Sequence, residues 1–460
     1  MTERADILIT GGLVVTLDEE DRRYDPGSVA IRGDRIVQIG RSEDVAGAFD
    51  APVKLDASGK LVLPGFVNTH THLFQTFIKG LGNTLPLHAW IKQVPVPMLL
   101  GMDERSMYSA AMIGSIGALR SGTTTLLDHM YPNPRPEIWD ALVQGLWDCG
   151  VRATLGRGVA DIPSEQGYPV TGYHPSLLEP LDAALEHCAR LFDRCTKAAG
   201  GRVRVCVAPP NMRTVSDTGL RALRDFARDH RSPISMHLCE SVRDDEIARN
   251  RYGKDAVDWL DSLELLADNF VAVHCVKLRP AAIEVFSSRR VNVSFNPVSN
   301  MFVGNGIAPI AALRGSGVRV TLGTDGAGVN NNDLLETMKV AALLVRVATE
   351  DPDTIRAGDV VRMATIEGAR ALGLGDEIGS LEAGKRADLI LFDLRNSRSS
   401  PHHDPLDSLV FSTNTQAVDS VMVDGRLLVA DGQLVDRDER ELVATAQEQA
   451  TTVARRNGLA

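Results

Sequence analysis

His70 and His72 stand two apart at the end of the run Leu61-Val-Leu-Pro-Gly-Phe-Val-Asn-Thr-His70-Thr-His72. On an extended strand, side chains two apart leave the same face, so these two imidazoles can grip one ion. More donors end other apolar runs. His237 closes Pro233-Ile-Ser-Met-His237, His274 closes Phe270-Val-Ala-Val-His274, and Asp325 closes Val318-Arg-Val-Thr-Leu-Gly-Thr-Asp325. Imidazole nitrogens with a carboxylate oxygen suit one divalent ion, Zn2+ first, with Fe2+ and Mn2+ accepting the same set. His70, His72, His237 and Asp325 are the candidate ligands. His274 is either a further ligand or a group that orients bound water. Glu240 follows in His237-Leu-Cys-Glu240, just past a strand end, where a carboxylate can shuttle a proton. Cys239 and Cys275, beside these residues, read as small apolar packing groups and not as nucleophiles.

Such donors must be held by strands that end at one place. After the His70 segment come Gly122-Thr-Thr-Thr-Leu-Leu-Asp, Val151-Arg-Ala-Thr-Leu-Gly, Val203-Arg-Val-Cys-Val-Ala, the His237 and His274 runs, Val291-Asn-Val-Ser-Phe and the Asp325 run. Between them lie helical stretches such as Asp103 to Arg120, Leu177 to Ala198, Asp217 to Asp229 and Leu334 to Thr349. Near-continuous apolar strands alternating with helices imply a parallel sheet, and eight of them fit a closed (β/α)8 TIM barrel in an α/β protein. An open doubly wound sheet is the alternative. In a barrel, functional groups sit at the C-terminal strand ends, where every donor named above falls.

The chain ends have another rhythm. Ile7-Leu-Ile-Thr-Gly-Gly, Ser28-Val-Ala-Ile-Arg-Gly-Asp and Arg35-Ile-Val-Gln-Ile-Gly suggest antiparallel hairpins, matched near the other end by Ala387-Asp-Leu-Ile-Leu-Phe-Asp and Ser420-Val-Met-Val-Asp-Gly. A small β-sandwich built from both ends is expected, over 1–62 and 373–460, the latter with a C-terminal helix, around a barrel over 63–372. Net charge is −11 with no Lys/Arg run, which argues against nucleic-acid binding. The six cysteines contain no Cys-x-x-Cys pair and the start, Met-Thr-Glu-Arg-Ala-Asp, is not a signal peptide, so a reduced, cytoplasmic protein is expected. No apolar run approaches the roughly 20 residues that cross a bilayer.

Other motifs fail on context. Gly379-Ser-Leu-Glu-Ala-Gly-Lys385 resembles a phosphate loop, but Arg386 replaces the Ser or Thr and a strand follows. Gly304-Asn-Gly306 lacks the third glycine of a dinucleotide fingerprint, and the His-x-Glu with Pro-Cys-x-x-Cys signature of cytidine-deaminase-type zinc enzymes is missing. His402 and His403 read as solvated, and His88, His174, His187 and His230 as surface or capping residues.

Taken together, Leu63-Pro-Gly-Phe-Val-Asn-Thr-His-Thr-His72, Ser121-Gly-Thr-Thr-Thr, His237-Leu-Cys-Glu240, Val273-His-Cys-Val276, Asn296-Pro-Val-Ser-Asn300, Gly306-Ile-Ala-Pro309, Gly323-Thr-Asp-Gly326 and Gly379-Ser-Leu-Glu-Ala-Gly-Lys-Arg-Ala-Asp-Leu389 resemble the amidohydrolase superfamily. The match is to its single-metal aminohydrolase branch, which holds deaminases and chlorohydrolase-like enzymes. The resemblance implies a barrel with a sandwich from both ends, and a metal held by His70, His72, His237 and Asp325. It puts His274 on the attacking water or the substrate. It implies a metal-activated hydroxide, with Asp325 and His274 taking the water's proton and Glu240 protonating a ring nitrogen as ammonia or an amine leaves.

The substrate implied is a small amino-substituted nitrogen heterocycle: a purine base, a pterin or an s-triazine. Methylthioadenosine or adenosylhomocysteine-type nucleosides, or a triazine losing chloride or alkylamine, are the alternatives. Arg157 matches an arginine that nucleoside deaminases direct at substrate. Leu99 stands where those enzymes place a ribose-binding carboxylate, and Pro210 where they place a pocket histidine, so a ribose would leave its hydroxyls unpaired. The spacing His70-x-His72-x-x-Gln75 resembles guanine-type and triazine-type enzymes, whose glutamine bonds a heterocycle edge as donor and acceptor. Phe295, in place of a common histidine, can stack on a flat substrate or fill the barrel. Trp90 matches a tryptophan near the pocket mouth. The oligomeric state is open, a homo-oligomer included.

Overall fold

Residues 2–162 and 174–459 are described by the computed structural model, in which the apolar runs become eight parallel strands closed into a ring. They are β1 (Phe66–His72), β2 (Thr123–Met130), β3 (Arg152–Arg157), β4 (Val203–Val207), β5 (Ile234–Leu238), β6 (Phe270–His274), β7 (Asn292–Phe295) and β8 (Arg319–Leu322). Each pairs in parallel with the next. The first three are buried at every residue, as strands covered on both faces must be. Closure happens at the chemically loaded end. The eighth run breaks at Gly323-Thr324, then Asp325 and Gly326 pair with Thr71 and His72 of β1. The break is itself hydrogen-bonded, Gly323 N to Phe295 O and Thr324 N to His70 O, both at 3.0 Å. The Thr69 hydroxyl reaches the Ser294 and Thr321 hydroxyls at 2.9 and 2.8 Å, tying β1 to β7 and β8 beneath the site.

Local signals set the helices. Glu104–Arg120 starts at Asp103, whose carboxylate accepts from Ser106 N while Ser106 Oγ accepts from Asp103 N, a reciprocal cap. Leu334–Thr349 begins after Asp333, which caps Leu335 N and Glu336 N. The helix expected from Leu177 begins at Leu181 instead. Pro180 pushes the residue before it out of helical geometry, and Pro175–Leu177 forms a separate 3-10 turn whose Ser176 N donates to the His174 ring.

The two ends meet in one sheet ordered Gln433–Leu434, Arg426–Ala430, Val418–Val423, Leu389–Asp393, Lys60–Pro64, Ile7–Val15, Arg23–Arg32, Arg35–Arg41. It is mixed, where hairpins alone were expected: Ile7–Val15 pairs in parallel with Val53–Asp56 and with Lys60–Pro64, because the helix Ser42–Ala48 brings the chain back in the same direction. Strand Lys60–Pro64 pairs with Leu389–Asp393, so the sandwich runs to Pro64, two residues past the boundary expected at 62. Its core includes Ile9, Val29, Ile31, Val62, Leu389 and Met422. The C-terminal helix Glu439–Arg456 leaves the sheet and packs on Glu104–Arg120 of the barrel. Among the described residues no helix is long and apolar enough to cross a membrane.

Candidate active site at the C-terminal strand ends

Four histidines and one aspartate from β1, β5, β6 and the closing segment converge in the barrel mouth. The His70 ring lies 4.7 Å from His72, 4.9 Å from His237 and 5.8 Å from His274, centroid to centroid. His70 Nε2 is 3.2 Å and His72 Nε2 3.3 Å from Asp325 Oδ1, and His237 Nε2 is 3.3 Å from His72 Nε2. One ligand atom each of His70, His237, His274 and Asp325 lie within 4.8 Å of one another. His72 borders the same space.

Backbone and side-chain acceptors aim these rings. His237 Nδ1 donates to Pro210 O at 2.6 Å, and His72 Nδ1 donates to the carbonyl of His129, which leaves each Nε2 facing inward. Pro210 therefore serves the site through its carbonyl. His274 Nδ1 donates to Asn300 Oδ1 at 2.9 Å, and Ser299 Oγ donates to Asp325 Oδ2. Cys239, His274, Cys275 and Asp325 adopt left-handed φ of 51°, 75°, 53° and 60°. Such backbone costs free energy in non-glycine residues, and here it clusters where the chain turns its donors inward.

Electrostatics favours a cation here. Burial drives His70 down to about 3 and His237 well below the usual imidazole value, so both rings are neutral. Burial raises the Asp325 carboxyl, but the adjoining His70 and His72 rings outweigh it and hold it well below the usual carboxylate range. Among the described residues Asp325 has no Lys or Arg partner. Neutral imidazoles around a buried, uncompensated carboxylate make a donor set that fits one divalent metal ion.

Glu240 sits beside this set. Its Oε1 is 3.8 Å from His274 Nε2 and accepts from Asn305 Nδ2 at 2.9 Å. Burial raises its carboxyl, which extends the pH range in which it carries a proton. The Cys239 and Cys275 thiols are buried and pushed up by burial, as expected of packing groups.

The expected substrate contacts divide. Gln75 lies buried in the 3-10 turn Leu73–Ile78 directly after β1; its Nε2 donates to Tyr131 OH at 3.3 Å, and its Oε1 finds no protein partner. The amide lies over Gly326, where a Cβ would overlap Oε1. Arg157 is not free to meet substrate. Its five N–H groups are consumed by Glu179 Oε1 and Oε2 at 2.6 and 2.7 Å, Gly158 O, and His187 Nδ1, and its guanidinium lies 4.6 Å over Trp139. His187 is thereby a buried partner of Arg157 and not a surface residue. Trp90 is buried on helix Leu87–Gln93 with its Nε1 spent on Leu81 O at 3.4 Å. Phe295, fully buried, belongs to the main apolar core, the second of its two expected roles. Leu99 is buried in that core as well.

Sequence reasoning missed His129, Tyr131, Ser299 and Asn305. β2 continues to Met130, past the Asp128 that closes its apolar run in the sequence, and so delivers the buried His129 ring 4.5 Å from His237. The strand-end rule that found His237 would have found it. Tyr131 follows, its ring 5.0 Å from His72 and 5.1 Å from Phe74.

The pattern of the amidohydrolase family matches residues 61–428. A 5-methylthioadenosine/S-adenosylhomocysteine deaminase of Syntrophobacter fumaroxidans is 37% identical, over 98% of this chain and 99% of its own. A 5'-deoxyadenosine deaminase of Methanobrevibacter smithii is 33% identical over 96% of each chain. Among solved structures, an adenosine deaminase from Xanthomonas campestris with bound zinc superposes with TM-score 0.90 at 28% identity, covering 99% of this chain and 100% of its own. Atrazine chlorohydrolase from Arthrobacter aurescens, complexed with zinc, gives 0.89 at 25% identity, covering 96% and 100%. A sequence match across most of the chain, the closed barrel with its two-ended sandwich, and the donors at its strand ends agree: this protein belongs to the amidohydrolase family.

Proposed function

We propose that this chain is a metal-dependent aminohydrolase that deaminates a free amino-substituted nitrogen heterocycle: a purine base, a pterin or an s-triazine. The carrying observation is that Glu240, His274 and Asp325 line one path beside the converging imidazoles, with His274 Nε2 3.8 Å from both Glu240 Oε1 and Asp325 Oδ2. His70, His72, His237 and Asp325 hold the ion, Zn2+ by the donor set. His72 is preferred to His274 because its Nε2 approaches Asp325 at 3.3 Å, while His274 stands farther off, between two carboxylates. A divalent ion there supplies a Lewis acid that acidifies water. Asp325 and His274 take one proton of the attacking water and pass it to the leaving amine. Glu240 gives its proton to a ring nitrogen as the water oxygen bonds to the amine-bearing carbon, and recovers one from the resulting hydroxyl as the C=O bond forms, the C–N bond breaks and ammonia leaves.

Gln75 reads the ring edge, since a buried amide oxygen without a partner is costly unless a ligand N–H fills it. Six buried free cysteines support a reduced, cytoplasmic setting. The relatives' names favour a second reading, a 5'-substituted adenosine as substrate. Against it, Leu99 offers no carboxylate to ribose hydroxyls and the Arg157 donors are occupied. An ammonia-release assay across purine bases, pterins, triazines and adenosine derivatives separates the two. Turnover of free heterocycles is expected, and turnover confined to nucleosides would reverse the substrate assignment.

A further inference from the structure

The glycine-flanked Gly304-Asn305-Gly306, which has no role as a nucleotide loop, touches the site. Gly304 and Gly306 adopt φ of +68° and +113°, backbone open to glycine at little cost. Between them, Asn305 N bonds Asn300 O at 2.9 Å, and the side chain turns to place Nδ2 2.9 Å from Glu240 Oε1. The same short segment carries Ser299, bonded to Asp325, and Asn300, bonded to His274. One stretch of ten residues, 297–306, thus holds a partner for each proton-handling group.

We infer that Asn305 is a positioning residue that selects which oxygen of Glu240 carries the transferable proton. A carboxamide nitrogen only donates, so Oε1 presents a lone pair to it; because a carbonyl oxygen accepts better than an acid hydroxyl, this bond favours the form of protonated Glu240 with its hydrogen on Oε2. The same bond restrains a side chain that has three rotatable torsions and otherwise would sample several rotamers. An acid held in one rotamer with its proton on a known oxygen is pre-oriented toward a substrate nitrogen, which benefits the chemical step more than binding. This inference rests on the proton-donor role proposed for Glu240.

The test is a double-mutant cycle on the metal-loaded enzyme, with the most active heterocycle of the panel as substrate. Asn305→Ala is expected to lower kcat by about tenfold with KM within about twofold of wild type, a fraction of the 10²–10⁴ that general acid catalysis contributes. Asn305→Ser, which retains a donor on a shorter arm, recovers part of the loss, while the near-isosteric Asn305→Asp, which removes the donor and adds a like charge, does not. Metal content and melting temperature stay at wild-type values in all three. In a Glu240→Gln background, Asn305→Ala changes kcat by less than about twofold, because the group it positions is gone. Equal loss in both backgrounds, or a rise in KM at unchanged kcat, would overturn the positioning role. Wild-type turnover by Glu240→Gln alone would instead remove the donor role of Glu240, so the two failures are distinct.

Discussion

Arg157 shows how a residue's partners set its role, against the substrate contact that the resemblance implies for it. Its guanidinium is fully buried, bidentate to Glu179 and backed by His187 and Trp139, so it belongs to the barrel wall between β3 and the following helix. Removing one partner of a buried ion pair strands the other charge, a cost of roughly 3–5 kcal/mol. Arg157→Met is accordingly expected to lower unfolding free energy by about that amount in urea titrations while leaving the KM of the folded fraction near wild type. A large KM increase at unchanged stability would return Arg157 to the substrate. The residues that were legible in advance, His70, His72, His237, His274 and Asp325, share a signature: a polar donor ending an apolar run. Asn305 and Ser299 carry no such signature, because they act from a loop on residues distant in sequence, and only the folded chain brings them to Glu240 and Asp325.

At the scale of elements, periodicity located all eight barrel strands, because a strand buried on both faces must be apolar along its length. It failed at ends. β2 looked finished at Asp128, yet that carboxylate is buried, raised to about 6 by desolvation, and bonded to Leu73 N at 2.9 Å, so a polar residue continues the strand. The helix start at Leu181 was obscured by apolar Leu177 and Leu178, which extend the pattern backward across a proline. The closing pair Asp325-Gly326 was legible as a strand end but not as the edge that pairs with β1. This pairing matters because it sets Gly326 under Gln75 and Asp325 between His70 and His72.

Across the whole molecule, sandwich and barrel are joined by apolar contact, Phe66 against Phe392 at 5.7 Å, and by a network of charges beneath the strands. Arg152, the first residue of β3, is bidentate to Asp388 and also meets Asp424; Arg386 bonds Glu377, Asp34 and Asp424; Arg204 of β4 reaches Glu377. Burial raises the Glu377 carboxyl, but the hydrogen bonds from Arg386 and Arg204 outweigh it and bring it from 4.5 to about 2. A depressed carboxylate contributes stability above its unfolded value that is lost as pH falls through the folded one. Glu377→Gln is therefore expected to be less stable at pH 7 and to show a flatter loss of stability between pH 4.5 and 2, read from denaturant titrations across that range. Parallel acid limbs in the two proteins would show that the clasp contributes nothing. The two-ended sandwich was visible from β-rich termini, whereas this clasp was not, since its members are scattered between residues 34 and 424.

The ion is what gives the buried carboxylate and the inward-facing imidazoles a common purpose, and its stoichiometry is the most direct measurement. Elemental analysis of the purified chain is predicted to find one equivalent of a divalent transition metal, zinc first, per polypeptide in the wild type and a small fraction of that in His70→Ala and Asp325→Asn. Wild-type protein without stoichiometric metal, or full metal content retained in both variants, would contradict the site.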